Sequence, residues 1–134
     1  MDAATLQPSE DTLLIVDDEP LMTELFEKFM SKRGFRVLTA ASGAEALRIA
    51  LAEKKRIRLV ITDMTMLEMD GLELAAELGQ LMPQVPVVLA TGHDADMTIA
   101  SGLPNVVAVV RKPYQNRVLA EQIRALIDGH NPCP

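Results

Sequence analysis

Four apolar runs in the sequence are each followed by side chains that can hold a charged group. LLIV is followed by Asp17 and Asp18, LVIT by Asp63, VVLA by Thr91, and VVAVVR by Lys112. Clustered carboxylates repel one another unless a cation joins them. Hard oxygen ligands suit Mg²⁺, which takes one or two carboxylates together with phosphate oxygens. A carboxylate can also attack phosphorus to give an aspartyl phosphate, with the lysine and the threonine holding other phosphoryl oxygens.

Other kinds of phosphate site lack their motifs in this chain. Neither GxxxxGKS nor GxxxxGKT is present, which excludes a P-loop. No GxGxxG follows a strand, so a dinucleotide site has no support. A phosphatase with an aspartate nucleophile would often carry a second acid two residues later, and Thr65 stands there. A phosphohydrolase is therefore the weakest of the alternatives.

Strand and helix patterns alternate along the chain. The predicted strands are Thr12–Val16, Arg36–Ala40, Arg58–Thr62, Val85–Ala90 and Val106–Val110. Helices are predicted after Pro20, Ser42 and Asp70, at about 95–101, and from Tyr114 to about Asp128. Strands separated by helices pair in parallel with right-handed crossovers, and continuously apolar strands are covered on both faces. The sequence thus predicts a single α/β domain with a doubly wound sheet. Its polar residues collect at the carboxyl edge, where ligands bind.

Short local signals predict where the helices begin and end. Asp18 can cap the first helix, and Pro20 suits its first position. Gly34 suits the end of that helix. Ser42 begins the second helix, and Asp70 caps the third.

The first and last helices each carry an apolar side. In the last helix it is predicted to comprise Val118, Leu119, Ile123, Leu126 and Ile127. In the first helix the apolar residues are Leu21, Met22, Leu25, Phe26, Phe29 and Met30. They cover about 180° of arc, more than the ~100° that packing requires. Either the sheet buries most of this arc, or Met22, Phe26 or Met30 stays partly open for a partner. Met66, Leu67 and Met69 pose the same choice between loop packing and a partner surface.

Composition limits the classes of partner. The chain has 134 residues, 49% of them hydrophobic, and a net charge of −6, which argues against nucleic acid or an anionic membrane. One cysteine, Cys133, excludes a disulfide framework. No apolar run approaches the ~20 residues of a membrane span, and MDAATLQPSEDT lacks the regions of a signal peptide. A cytoplasmic location is expected.

The segments LLIVDDEP, LVITDMTMLEMDGLEL, VVLATG and VVRKPY, in this order, resemble the receiver domain of two-component response regulators and hybrid histidine kinases. The resemblance covers residues 12–128, with a flexible tail at 1–11 and another at 129–134. It implies a flavodoxin-like five-stranded parallel sheet of order 2-1-3-4-5 with helices on both faces.

The resemblance also implies roles for individual residues. Asp63 would accept a phosphoryl group from the phosphohistidine of a histidine kinase or phosphotransfer domain. Asp18, Asp63 and the backbone carbonyl of Thr65 would ligate Mg²⁺, with Asp17 acting through water. Lys112 would pair with a phosphoryl oxygen. The protein would then be a signalling phosphoacceptor that assists its own phosphotransfer and dephosphorylation, rather than an ordinary enzyme.

The switch residues depart from the family pattern. Thr91 would move its hydroxyl to the phosphoryl group, but Val109 replaces the usual aromatic residue. Thr65 and His93 would tune hydrolysis, or they are solvent-facing loop residues. The bond between Lys112 and Pro113 would be cis. An output domain or a second copy would bind through the fourth predicted helix, the fifth strand and the fifth helix. The missing aromatic supports one alternative, a pseudo-receiver that binds partners without phosphorylation.

Overall fold

Five strands and four helices make up the part of the chain that the computed structural model describes, residues 11–92 and 102–130. In chain order they are β1 (Asp11–Val16), α1 (Pro20–Ser31), β2 (Phe35–Ala40), α2 (Gly43–Glu53), β3 (Ile57–Asp63), α3 (Gly71–Leu81), β4 (Val87–Thr91), β5 (Val106–Arg111) and α4 (Asn116–His130). The short helix predicted at 95–101, His93 and Cys133 lie outside the described residues.

The strands form one parallel sheet in the order β2-β1-β3-β4-β5, which confirms the predicted topology. β1 pairs with both β2 and β3, β3 with β4, and β4 with β5. Chain progress across the sheet reverses at β1, because β2 lies on one side of it and β3 on the other. The crevice outside the carboxyl ends of β1 and β3 is therefore the expected ligand site.

The two faces of the sheet carry separate apolar clusters. One joins Leu14, Val16, Val60 and Leu89 to helices α2 and α3. The other, called here the α1–α4 cluster, joins strand residues to α1 and α4; its buried members are Leu13, Ile15, Phe26, Met30, Phe35, Leu59, Ile61, Val88, Leu119, Ala120, Ile123 and Ile127. Successive strand residues point to opposite faces, so covering both faces makes the middle of each central strand continuously apolar, Leu13–Val16 in β1 and Leu59–Ile61 in β3.

Helix ends agree with the predictions at Pro20, Ser42 and Asp70 but not at Asp18. Pro20 is the first residue of α1, and Glu19 rather than Asp18 is its N-cap. The side chain of Ser42 accepts a hydrogen bond from the Glu45 N–H, and Asp70 forms a reciprocal capping box with Glu73. Asp18 lies one residue too early to cap α1, and its carboxylate is directed to the acidic cluster described below.

The apolar faces of α1 and α4 differ in part from the prediction. Phe26 and Met30 are buried, whereas Leu21 and Leu25 are 65% and 50% exposed. In α4, Val118 is 45% exposed, so its assignment to the apolar side was wrong. The helix begins at Asn116 rather than Tyr114, and Leu119, Ile123 and Ile127 form its buried side. Across residues 11–92 and 102–130, no helix has the length and apolar character needed to span a membrane.

Candidate functional site

Three aspartates meet at the carboxyl edge of the sheet. Asp17 follows β1 directly, Asp63 is the last residue of β3, and these two strands are neighbours. Asp17, Asp18 and Asp63 each place a carboxylate oxygen within 4.8 Å of the other two. Asp17 and Asp63 are only 3% and 9% exposed, whereas Asp18 is exposed. Two of the three acids are thus shielded from bulk water.

Lys112 joins the buried acids. Its Nζ lies 3.2 Å from Asp17 Oδ2 and 3.4 Å from Asp63 Oδ2. The backbone N–H of Lys112 donates to the Thr91 carbonyl at 2.7 Å, which extends the β4–β5 ladder past the end of β5. The bond between Lys112 and Pro113 is cis, as the resemblance implied. The structure therefore brings Asp17, Asp18, Asp63 and Lys112 together.

Burial and the charge of Asp17 act against the charge of Lys112 on the pKa of Asp63. Burial raises the pKa of Asp63, Lys112 lowers it, and the negative charge of Asp17 raises it again; the net shift is upward. A hydrogen bond from the Thr65 backbone N–H also lowers the pKa of Asp63. Burial alone would lower the pKa of Lys112, but hydrogen bonds and charge attraction from Asp17 and Asp63 outweigh it and raise that pKa. Lys112 is therefore held in its charged form beside the two acids.

The loop from Met64 to Asp70 divides its apolar side chains between the core and the solvent. Met66 and Met69 pack against the cluster under α2 and α3. Leu67 is 81% exposed, and the side chain of Thr65 is exposed as well. Loop packing thus accounts for the two methionines but not for Leu67.

Gly71 is a site residue that the sequence reasoning missed. Its N–H donates to the Met64 carbonyl at 2.8 Å, which brings the start of α3 against the backbone at the end of β3. A Cβ at Gly71 would lie 2.5 Å from the Asp63 carbonyl oxygen and 2.9 Å from Met64 Cα. The available signal was the Asp70-Gly71 pair, which was interpreted only as a helix start.

Thr91 lies on β4, the strand next to that of Asp63, and Val109 lies on β5, one strand further across the sheet. Thr91 is buried at the end of β4 and is paired with Arg111 of β5. Val109 is half-buried on β5 and packs against the cluster that α2 and α3 cover. Thr91 is therefore at the same sheet edge as Asp63 and Lys112, whereas Val109 stands two strand positions before the end of β5.

The donor set fits a hard divalent cation. Oxygens from three carboxylates converge. One of these carboxylates is that of Asp63, and its pKa is raised by burial and by the negative charge of Asp17. A divalent cation at this place would offset the repulsion that the lysine offsets only in part. Oxygen-only donors suit hard cations such as Mg²⁺ rather than softer metals such as Zn²⁺ or copper, which prefer nitrogen or sulfur.

A parallel sheet of this order, with convergent acids and a lysine at its carboxyl edge, is the arrangement of a receiver. Residues 13–124 match the response regulator receiver domain, and the chain belongs to this family. It is 36% identical over 122 residues to the transcriptional regulatory protein GlrR of Escherichia coli, a match that covers 90% of this chain and 27% of GlrR. It is 35% identical over 116 residues to AfsQ1 of Streptomyces coelicolor, covering 86% of this chain and 50% of AfsQ1.

Solved structures agree with this family. A receiver domain from Clostridium thermocellum superposes with a TM-score of 0.80 at 30% identity, covering 88% of this chain and 94% of that one. The receiver domain of the hybrid histidine kinase CckA superposes with a TM-score of 0.74 at 29% identity, covering 87% and 98%. The chain spans half or less of the length of GlrR and AfsQ1. It is a receiver domain of the two-component type, a class of signalling domains that bind Mg²⁺ at an acidic pocket and interact with histidine kinases and output domains.

Proposed function

We propose that Asp63 accepts a phosphoryl group from the phosphohistidine of a histidine kinase or phosphotransfer domain, in a Mg²⁺-dependent reaction that changes which partner is bound. One observation carries the proposal: Lys112 Nζ lies within 3.4 Å of Asp63 Oδ2 while the oxygens of Asp17, Asp18 and Asp63 converge within 4.8 Å. An acceptor carboxylate, a metal-binding acid pair and a cation for the phosphoryl group are the three parts that such a transfer needs.

The transfer is a displacement at phosphorus. A carboxylate oxygen of Asp63 forms the new P–O bond while the P–N bond to the donor histidine breaks, and the imidazole leaves with that electron pair. Lys112 already touches Asp63, so its ammonium can pair with a phosphoryl oxygen after a small movement. Mg²⁺, when bound by Asp18, Asp63 and the Thr65 carbonyl with Asp17 acting through water, supplies charge neutralisation. Alignment and neutralisation by these residues replace any need for a further catalytic base.

The slower steps are assigned to residues near the edge. Attack of water on the phosphoryl group would restore the Asp63 carboxylate and release inorganic phosphate, with Thr65 and His93 tuning this rate. Thr91 would bind the phosphoryl group through its hydroxyl and begin the switch, with Val109 coupling it without an aromatic ring. The surface that changes would include β5, α4 and the helix predicted at 95–101, where an output domain or a second copy would bind. The cytoplasmic location expected from the sequence stays part of this proposal.

The donor is proposed to dock beside the acceptor. Leu21 and Leu25 are one turn apart on α1 and strongly exposed, and Leu67 is exposed on the loop that follows Asp63. Of the three residues expected to stay partly open for a partner, Phe26 and Met30 are buried and Met22 is half-buried, so the candidates for an open apolar face are Met22 and these leucines. Exposed leucines around an acidic site suit the apolar surface of a helical partner.

The test is an intact-mass measurement after incubation with Mg²⁺ and acetyl phosphate. We expect one phosphoryl adduct, absent in Asp63→Asn and absent when EDTA removes the metal. Asp70→Asn is a matched control because it makes the same change at an acid that caps α3, and it should leave the adduct in place. An adduct that persists in Asp63→Asn would contradict the site assignment. No adduct from acetyl phosphate or from a kinase would favour the pseudo-receiver instead.

A further inference from the structure

Tyr114 is the point at which the segment between β5 and α4 enters the apolar core. It lies two residues after Lys112 and two before the first residue of α4. Its neighbours Pro113 and Gln115 are exposed, but Tyr114 is half-buried and packs against the α1–α4 cluster. Within this segment, Tyr114 is the residue that ties the backbone to the core.

The phenol also lies close to the charged site. Burial raises the pKa of Tyr114 to about 12, and the charges of Asp17 and Asp63 contribute in the same direction while Lys112 opposes them. Tyr114 is two residues from Lys112, whose Nζ contacts both Asp17 and Asp63. Tyr114 takes no part in the proposed reaction.

Lys112 needs support from its backbone because its side chain is long. A lysine side chain carries about 2 kcal/mol of rotamer entropy, which opposes fixing it in one conformation. Here the Nζ of Lys112 must stay beside the carboxylates of both Asp17 and Asp63. On the N-terminal side, the Lys112 N–H is held by the Thr91 carbonyl at 2.7 Å. On the C-terminal side, Pro113 is exposed, so the next contact with the core is made by Tyr114.

We propose that Tyr114 is a positioning residue: its ring, packed on the α1–α4 cluster, holds the segment after β5 so that Lys112 Nζ stays between Asp17 and Asp63. This inference rests on the proposed function, in which Lys112 binds a phosphoryl oxygen. The apolar contact is made by the ring rather than by the hydroxyl. Phenylalanine at this position should therefore work nearly as well as tyrosine.

The experiment measures the initial rate of phosphorylation by acetyl phosphate with saturating Mg²⁺, by intact mass. We expect Tyr114→Ala to slow the rate about tenfold, because displacement of a positioned group by about 1 Å has large effects on rate. Tyr114→Phe should restore it. Leu126→Ala is the matched control, because Leu126 is also half-buried against the α1–α4 cluster but lies on α4, away from Lys112. Its rate should stay near that of the wild type.

A double-mutant cycle separates positioning from general loss of stability. If Tyr114 acts through Lys112, Tyr114→Ala should have no further effect in a Lys112→Ala background. Equal rates for Tyr114→Ala and Leu126→Ala, or additive effects with Lys112→Ala, would overturn the proposal. If the alanine variant does not fold, Tyr114→Leu replaces it, and a rate equal to that of Tyr114→Phe would also overturn it. A wild type that takes no phosphoryl group would instead refute the proposed function itself.

Discussion

Lys112 carries the positive charge that allows Asp17 and Asp63 to lie side by side in a largely buried place. Its attraction lowers the pKa of Asp63, but burial and the charge of Asp17 together outweigh that effect. Without a metal, the ionised form of Asp63 is therefore less favourable in the folded protein than in the unfolded chain. If Asp63 is the acceptor, as proposed, the site keeps its reactivity at the expense of stability, which is common at functional sites.

This balance predicts how Asp63→Asn changes stability with pH. The pKa of Asp63 is higher in the folded protein than in the unfolded chain. Its contribution to folding stability is therefore fully present below the unfolded pKa, near 3.8, and is lost as the pH rises through the folded pKa. Asparagine does not titrate, so the Asp63→Asn variant does not lose stability in this way. In EDTA, the thermal midpoint of Asp63→Asn should exceed that of the wild type by an amount that grows as the pH rises above about 4 and levels off above the folded pKa of Asp63.

The same two proteins should also differ in how much stability they gain from added Mg²⁺. At a hundred times its dissociation constant, a ligand that binds only the folded state adds about 2.7 kcal/mol of stability. The wild type should gain this stability, and Asp63→Asn should gain little because it lacks a ligand. A stability difference in EDTA that is independent of pH would contradict the raised pKa.

At this scale the sequence predicts which charged residues meet, because carboxyl ends of parallel strands share one edge. Asp17, Asp18, Asp63 and Lys112 could all be placed by counting to the ends of apolar runs. Gly71 and Tyr114 could not, because their importance depends on contacts between loops. The close approach of Gly71 to the Asp63 carbonyl and the packing of the Tyr114 ring on the core produce no periodic pattern in the sequence.

At the scale of elements, the loop between β3 and α3 contains a tight turn. Glu68 has φ of +70°, and the Met69 N–H donates to the Leu67 carbonyl at 2.7 Å. A three-residue turn with a positive central φ is rare and strained for residues other than glycine. The turn lies between Asp63 and Asp70, the cap of α3.

Glu68→Gly should therefore stabilise the protein. Glycine removes the Cβ that makes positive φ unfavourable by about 1–2 kcal/mol, but it adds entropy to the unfolded chain. We expect a net gain of about 0.5–1 kcal/mol in chemical denaturation. Glu68→Ala is the control, since it removes the same charge but keeps a Cβ at positive φ. Equal stability of the two variants would show that charge rather than strain limits this loop.

The positions of the described strands and helices along the chain could be predicted, but the side of each helix that faces the sheet could not. Continuous apolar runs identify the strands, and Ser42 and Asp70 mark helix starts because short polar side chains satisfy free N–H groups. The wide apolar arc of α1 does not say which part faces the sheet, and the sheet selects Phe26 and Met30 over Leu21 and Leu25. Val118 is exposed for the same reason: the buried side of α4 is centred on Leu119 and Ile123.

At the scale of the whole molecule, the two edges of the sheet carry different charge networks. The carboxyl edge holds the acids and Lys112. Near the opposite edge, Asp11 at the start of β1 pairs with Arg58 at 3.1 Å and with Arg124 at 2.6 Å, and Arg124 stacks over Phe35 at 4.5 Å. A six-residue strand separates the edges by roughly 20 Å. Sites this far apart with no shared partners usually contribute additively.

Asp11→Asn should thus lower stability without changing the phosphorylation chemistry. Each pair involves a partly exposed arginine, so the combined loss should be about 1 kcal/mol rather than the several expected of buried pairs. Asp128→Asn is the matched control, because it removes the other carboxylate of Arg124, which lies 3.9 Å away and is 66% exposed. Asp128→Asn should lower the free energy of unfolding by less than about 0.3 kcal/mol.

Chemical denaturation measures the stability of both variants, and incubation with acetyl phosphate and Mg²⁺ measures the rate of phosphorylation at Asp63. A rate that falls in Asp11→Asn beyond about twofold would mean that the two edges are coupled through β1, because additivity across the sheet would then have failed.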